Sequence, residues 1–172
     1  RVTYPLKDGG NLAMPAMIEG YHHAGWQVGL LSMNTTRHFI EHDHLRKLFT
    51  HLHLFHWVDV DNSLKWFDIM KNFLFEKDPE HARRFYNEEF KAELKAILKT
   101  FNPDVVQVES VYLSTYLPVI KKYADAVTVL RMHNVEYQIW QGLSKRTKNK
   151  LKSFYYDSLA VRVRYFERAA WR

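Results

Sequence analysis

The chain has 172 residues, of which 47% are hydrophobic and 15% aromatic, a composition that excludes a disordered chain and predicts one folded domain. It contains no cysteine, which excludes disulfides, thiolate catalysis and cysteine-ligated metal sites and fits a reducing cytoplasm. The formal charge of +6 suits a negatively charged partner, namely nucleic acid, an anionic membrane or a phosphorylated substrate.

Short apolar segments bounded by turn or helix signals are predicted to be strands buried on both faces. In chain order they are residues 27–32, 52–60, 104–108 and 126–132, and residues 1–4 are interpreted as the end of a truncated first strand.

Amphipathic helices are predicted between the strands, at residues 11–24, 79–100 and 113–124, with a long core-facing helix at the end of the chain. Gly25 is expected to close the first helix in a left-handed conformation, and Pro15 places the start of that helix near Leu12. The last helix is expected to bury one side, formed by Leu151, Phe154, Tyr155, Ser158, Leu159, Val163 and Phe166.

Alternating strands and helices predict a Rossmann-like, three-layer α/β domain with a mainly parallel sheet. Ligands bind such sheets at the carboxyl ends of the strands. Three unusual sequences fall on that edge, and we expect Gly9, Glu109 and His133 to approach one another there. The sequences are residues 7–11 (KDGGN), 109–110 (ES) and 133–136 (HNVE).

Gly9 and Gly10 join the predicted first strand to a helix, where backbone N–H groups could approach an anion and Lys7 could add a charge. By itself such a pair is more often only a tight turn. The pair matches neither the dinucleotide-binding fingerprint nor the P-loop, so both of these nucleotide-binding classes lose support.

His133 follows a buried strand and precedes a helix for which Asn134 is a candidate N-cap. A histidine there could donate to a sugar hydroxyl or could simply pack under a loop. Glu136 could belong to the capping arrangement, whereas Glu109 lies where a strand-end carboxylate meets hydroxyl groups.

The remaining histidines do not predict a metal site, because neither cysteine nor an H-E-x-x-H pattern accompanies them. A Gly-x-Ser-x-Gly elbow is also absent from the sequence, which argues against a hydrolase of that type. Residues 145–152 (KRTKNKLK) carry five positive charges without interleaved aromatics. They indicate a solvated face, with contact to an anionic membrane or acceptor as the alternative.

Two loops together resemble those of the retaining, two-Rossmann-domain glycosyltransferases of the glycogen-synthase-like superfamily, also called GT-B. Residues 4–11 (YPLKDGGN) resemble the first-strand loop of that superfamily, and residues 131–137 (RMHNVEY) resemble its other N-domain signature. Residues 24–28 and 102–106 extend the resemblance across nearly the whole chain.

The resemblance implies that residues 1–172 are the N-terminal, acceptor-side domain, and that a C-terminal domain absent from this chain holds most of the nucleotide-sugar. It implies an enzyme that works in the cytoplasm. Such an enzyme would lie at the inner face of the membrane if its acceptor is located there. The acceptor would be a glycan, a lipid or another hydroxyl compound; neither a metal nor another cofactor is required, and no nucleic acid is expected to bind.

The same resemblance gives His133 the catalytic role of contacting the transferred sugar. It places the Gly9-Gly10 loop against the donor phosphates or the acceptor. The residues it assigns to donor or substrate binding are Lys7, Gly9, Gly10, Asn11, Glu109, Asn134 and Glu136.

Both ends of the chain look internal to a longer protein, because it starts without methionine and stops within a helical pattern. The isolated chain is therefore expected to lack transferase turnover. Two other classes stay open: a stand-alone α/β domain that binds a phosphorylated ligand, and a basic module for polyanions or membranes.

Overall fold

The structure is a computed structural model that describes residues 9–63 and 79–171. Its elements within those residues are α1 (Gly9–His23), β1 (Gly29–Thr35), α2 (His42–Leu45), β2 (Leu54–Val60), α3 (Glu80–Arg83), α4 (Glu88–Phe101), β3 (Val105–Glu109), α5 (Leu117–Tyr123), β4 (Val127–Arg131), α6 (Glu136–Arg146) and α7 (Lys150–Ala170). Two short 3₁₀ segments, Thr36–His38 and Val111–Tyr116, follow β1 and β3.

The chain groups into two compact units, which are described separately. The first unit holds the described residues 9–63 and Asn87–Asn102, and the second holds residues 79–86 and 103–171. The assignment of residues 1–172 to one glycosyltransferase domain stays a prediction.

Parallel strand pairs confirm the predicted α/β class. In the first unit β1 pairs with β2, from Gly29 opposite Leu54 to Thr35 opposite Val60. In the second unit β3 pairs with β4 in the same sense. Among the described residues these pairs form two separate two-stranded sheets, whereas one larger sheet was expected. The expected strand formed by residues 1–4 lies outside the described residues.

All four predicted strands are present, with bounds that shift by at most three residues. The largest shift is in β1, which continues to Thr35 and includes a buried, hydrogen-bonded polar side chain, that of Asn34. Asn34 is 1% exposed, and its side chain donates to the Ile40 carbonyl and accepts from the Ile40 N–H, at 3.0 Å each. A buried polar side chain with satisfied hydrogen bonds is compatible with a strand interior.

Burial on both faces is wrong for β4. Val127 is 66% exposed and Val129 is 39% exposed, while Thr128 and Leu130 between them are half-buried. Since alternate side chains of a strand point to opposite faces, the valine face of β4 is open and the other face is covered. The valine-rich run indicated the strand correctly but not how many faces it buries.

The predicted helix over residues 79–100 is interrupted. Within this range α3 ends at Arg83 and α4 begins at Glu88, because the Asn87 side chain accepts from the Phe90 N–H at 2.8 Å and caps a new helix. Asn102, at φ 46°, ends α4 in the left-handed conformation, as the Asn-Pro signal predicts. Pro118 likewise delays α5, whose α-helical turns begin only at Leu117.

The end of α1 forms a Schellman motif, in agreement with the prediction for Gly25. Gly25 has φ 83°, its N–H donates to the His22 carbonyl, and the Trp26 N–H donates to the Tyr21 carbonyl at 3.1 Å. The rings of Tyr21 and Trp26 stack 5.3 Å apart across the motif. The start of α1 differs from the prediction, since the helix begins at Gly9 and contains Pro15 internally.

Two glycine substitutions in this region are expected to change stability in opposite directions. Gly25→Ala should lower the free energy of unfolding by about 1 kcal/mol, because alanine is strained at positive φ. Gly20→Ala should raise it by about 0.5–1 kcal/mol, since a Cβ there meets no atom within 4 Å and alanine favours a helix interior. Urea unfolding of both variants measures the two changes in the free energy of unfolding. Equal changes would contradict the left-handed conformation of Gly25 and the helical position of Gly20.

The core of the second unit lies under α7 and the 3₁₀ segment. Tyr116, Val111, Leu159 and Val163 are each at most 2% exposed. The prediction of one apolar side for α7 is wrong at its start, where Leu151 is 82% exposed and Phe154 is 68% exposed. At 100° per residue these two positions together lie opposite the centre of the buried residues of α7, which are Leu159, Ala160, Val163 and Glu167, so α7 carries apolar residues on two faces.

Candidate functional site

Charged side chains meet where β3 and β4 end. Glu109 and Arg131 are the last residues of the two strands and are register partners. Parallel strands end at the same edge of a sheet, so both residues lie at the carboxyl edge of the pair, and His133 follows two residues after Arg131. The structure therefore brings Glu109 and His133 together, as the strand-end argument predicts.

The Glu109 carboxylate is the centre of this cluster. Its Oε2 lies 2.9 Å from His133 Nε2 and 3.3 Å from Arg131 Nη1. Its Oε1 accepts a hydrogen bond from the Gln107 side chain, which is two residues earlier on the same strand face. The side chain of Glu109 is 15% exposed, and those of His133 and Arg131 are 26% and 30% exposed. Three cationic or polar neighbours, His133, Arg131 and Gln107, thus compensate a largely buried carboxylate.

The His133 ring is anchored through one nitrogen only. Nε2 faces Glu109, and Nδ1 has no hydrogen-bond partner among the residues that the structure describes. A carboxylate beside one ring nitrogen fixes the ring orientation and the tautomer, and leaves the second nitrogen to exchange a hydrogen bond with a ligand. This arrangement can bind a hydroxyl group or, when the ring is protonated, an anion.

The backbone next to this cluster is strained. Ser110 has φ 138° and ψ 142°, a region that residues other than glycine rarely adopt. Its Oγ accepts a hydrogen bond from the Tyr112 N–H at 3.2 Å, which starts the 3₁₀ segment. Strained positions of this kind are concentrated at functional sites, so Ser110 is added to the candidate site. The sequence marked residues 109–110 as a strand end but gave no sign of the strain at Ser110, since the conformation favours glycine.

The predicted cap at Asn134 is wrong. Val135 holds the N-cap position of α6 without a side-chain bond, and the Glu136 N–H donates instead to Glu167 Oε1 at 2.7 Å. Glu167 comes from α7, 31 residues later, and is only 4% exposed. A carboxylate from a neighbouring helix satisfies the N–H group that a local cap would have satisfied.

Glu136 belongs to a partly buried network of polar groups. Its Oε2 accepts a hydrogen bond from the Tyr112 hydroxyl at 3.1 Å. Burial, together with the Glu136 carboxylate, raises the pKa of Tyr112 far above its ordinary value of 10.0, so the phenol stays protonated and donates. Glu136 thus helps to position the start of α6, and ligand binding by Asn134 and Glu136 stays a prediction.

The first-strand loop lies in the other compact unit. Lys7 is outside the described residues, while the backbone of Gly9, Gly10 and Asn11 forms the start of α1. These three residues are therefore at the N-terminus of a helix, as expected for an anion site. They are not part of a loop that continues to Asn11. The expected approach of Gly9 to Glu109 and His133 stays a prediction.

Three histidines of the first unit are paired with carboxylates. His42 Nε2 lies 2.7 Å from Asp59 Oδ2, and His51 Nε2 lies 2.8 Å from Glu19 Oε1. His56 Nε2 is 3.4 Å from Glu93 Oε2. Within residues 9–63 and 79–171, three or more histidine or carboxylate groups nowhere come together as a metal ion would require.

The helices of the described part are too short or too polar to cross a bilayer. Comparison with protein-family models, curated proteins and solved structures gives no match for this chain.

Proposed function

We propose that this chain is the acceptor-side, Rossmann-like domain of a retaining glycosyltransferase that moves a sugar from a nucleotide-sugar donor to a hydroxyl acceptor. The observation that carries the proposal is the cluster of Glu109, Arg131 and His133 at the carboxyl edge of β3 and β4. Ligands of α/β domains bind at this edge. The cluster contains the histidine of the signature through which the sequence resembles these transferases.

His133 is proposed to contact the transferred sugar. Its Nε2 is held 2.9 Å from Glu109, so the ring orientation is set before a substrate arrives. The other nitrogen can accept from a sugar hydroxyl when the ring is neutral, or donate to an oxygen when it is protonated. Hydrogen bonds that strengthen as charge develops in the transition state accelerate the chemical step.

Charge balance is the second requirement of the proposed reaction. Breaking the bond between the sugar and the nucleotide phosphate leaves negative charge on the phosphate, which fixed donors must stabilise. Backbone N–H groups of Gly9 and Gly10, with Lys7, are the groups proposed for this task, since a helix N-terminus favours anions. In the proposed mechanism these donors act without a required metal and without an enzymic nucleophile.

The proposal has four consequences. The strand pairs would belong to a three-layer domain, and a separate C-terminal domain would hold most of the nucleotide-sugar. The enzyme would work in the cytoplasm, where nucleotide-sugars are the donors. Neither half would be competent alone, because the proposed reaction site lies between a donor side and an acceptor side.

The test compares the 172-residue chain with the longer natural protein that contains it. Both are incubated with a panel of nucleotide-sugars, and release of the nucleotide is measured with and without an extract of glycans and lipids as acceptor. The longer protein is expected to consume one donor, faster with acceptor present, and the chain alone is expected to show no turnover.

Two outcomes would contradict the proposal. Robust transfer by the purified chain alone would show that the donor half is not needed. Failure of the longer protein to consume any donor, combined with saturable binding of a sugar phosphate to the chain alone, would favour a stand-alone domain that binds phosphorylated ligands.

A further inference from the structure

Residues 145–154 form the turn between α6 and the start of α7, here named the basic tip. The five basic side chains of the tip are all exposed, and the sequence has no acidic residue between Glu136 and Asp157. None of the five forms an ion pair with another residue that the structure describes. They are Lys145, Arg146, Lys148, Lys150 and Lys152.

Two large apolar side chains project among these cations. Leu151 is 82% exposed and Phe154 is 68% exposed, and the two lie three residues apart on one side of α7. That side is opposite the centre of the buried residues of α7, which are Leu159, Ala160, Val163 and Glu167. Large apolar side chains cost free energy when they are exposed to water, whereas charged side chains are well solvated. Exposed apolar groups within a dense positive patch therefore indicate a surface that contacts a partner.

Hydrogen bonds fix the shape of the tip. The Ser144 and Ser153 hydroxyls lie 2.9 Å apart, and Ser153 Oγ also donates to the Ser144 carbonyl at 3.2 Å. The Asn149 side chain accepts from the N–H groups of Leu151 and Lys152, at 3.0 and 3.1 Å. Leu151 and its neighbouring lysines are therefore held in the first turn of a helix and need no ordering when a partner binds.

We propose that the basic tip docks on the surface of an anionic lipid bilayer, with Leu151 and Phe154 inserted among the headgroups. Charge complementarity supports this occupant, because lysines near an anionic bilayer are attracted to it and apolar side chains add the second anchoring signal. A nucleic acid would satisfy the cations equally well but would leave Leu151 in water, since the tip offers bases one aromatic side chain, Phe154, which follows the last lysine and does not lie between the cations. This partner goes beyond the proposed transferase activity and does not rest on it.

Vesicle flotation tests the proposal on the purified chain. Vesicles of phosphatidylcholine alone are compared with vesicles in which about a third of the lipid is phosphatidylglycerol. Binding is expected only to the anionic vesicles. Lys148→Gln with Lys150→Gln and Lys152→Gln should weaken it roughly 100-fold, at about five-fold for each lysine near the surface. Leu151→Ser with Phe154→Ser, which changes no charge, should weaken it about ten-fold or more.

Matched controls separate a specific surface from general stickiness. Trp26→Ser removes an apolar side chain outside the tip that is 54% exposed and larger than Leu151 or Phe154. Lys121→Gln with Lys122→Gln removes two exposed lysines of α5. Both controls should bind anionic vesicles as the parent does. The melting temperature of each variant is measured alongside, and it should stay unchanged because every substituted side chain of the tip is exposed.

Insertion is read directly from residue 151. Because the chain contains no cysteine, Leu151→Cys can carry a single environment-sensitive fluorophore, with Trp26→Cys as the labelled control. A blue shift on adding anionic vesicles is expected at position 151 and not at position 26. If the variant with Leu151→Ser and Phe154→Ser bound anionic vesicles as strongly as the parent, attraction by charge alone would explain binding, as it would for nucleic acid. That result would overturn the proposal. Equal binding to neutral vesicles, or no binding to either kind, would overturn it as well.

Discussion

Replacing His133 by alanine in the longer natural protein is expected to lower kcat/KM for sugar transfer by about 10- to 150-fold, and to leave the melting temperature almost unchanged. A hydrogen bond to a group that develops charge is commonly worth about 1.5–3 kcal/mol, which gives that loss of rate if the bond acts in the transition state. The effect on folding should be small because the His133 side chain is 26% exposed and its partner, Glu109, keeps other donors.

The matched control for this substitution is His42→Ala. His42 also pairs with a carboxylate, Asp59, at 2.7 Å, and its side chain is 47% exposed. Loss of an exposed ion pair costs little stability, and transfer should be close to that of the parent. Comparable losses in both variants would show that removing any histidine–carboxylate pair impairs the protein.

Glu109→Gln distinguishes positioning from direct contact. Glutamine keeps an oxygen that can accept from His133 Nε2 but loses the charge, so transfer should fall less than in His133→Ala. Near-parental kcat/KM in His133→Ala, with a lowered melting temperature, would withdraw His133 from the site and give it a structural role.

The location of the cluster could be predicted because it depends on local signals. Glu109 and His133 each follow an apolar run, and parallel strands bring such ends to one edge. Arg131 belongs to the same signature, but its contact with Glu109 depends on the register of two strands that are 22 residues apart in sequence. Register across such a separation is decided by packing, which a single sequence does not reveal.

The errors in the helices have a similar origin. An asparagine within an apolar periodic pattern, such as Asn87, can either lie on the solvated face or cap a new helix, and only the backbone decides between them. For α7 the apolar positions occur on both faces of the helix, so their spacing alone could not show that Leu151 is exposed while Val163 is buried.

Glu167→Ala is expected to lower the free energy of unfolding by about 2–3 kcal/mol, although a glutamate within a long helix normally indicates a solvated position. The side chain is 4% exposed and accepts hydrogen bonds from the backbone N–H groups of Glu136 and Tyr137. Alanine would leave both N–H groups of α6 without their acceptor and would open a cavity. For a chain of this size the melting temperature should fall by roughly 5–10 °C.

Glu88→Ala is the matched control, since Glu88 is another helical glutamate but its side chain is 73% exposed and pairs with Lys91 three residues later. Its substitution should change stability by less than about 0.5 kcal/mol. A similar loss in both variants would contradict the capping role of Glu167.

Glu167→Gln should retain most of the stability, because the amide oxygen can still accept from the α6 N–H groups. The pH dependence of this variant's stability, relative to that of the parent, tests the charge of Glu167. Burial raises the pKa of Glu167 above its usual 4.5, and the Glu136 carboxylate adds to this, while the two backbone N–H groups oppose it. The folded protein therefore binds the proton more tightly than the unfolded chain, so ionisation of Glu167 disfavours folding as pH rises above the unfolded value. Glutamine carries no such cost, and the stability of Glu167→Gln relative to the parent should increase between pH 4 and pH 7, measured by urea unfolding at both values. A relative stability that stays constant or decreases over this interval would show that the carboxylate is ionised without penalty where it caps α6.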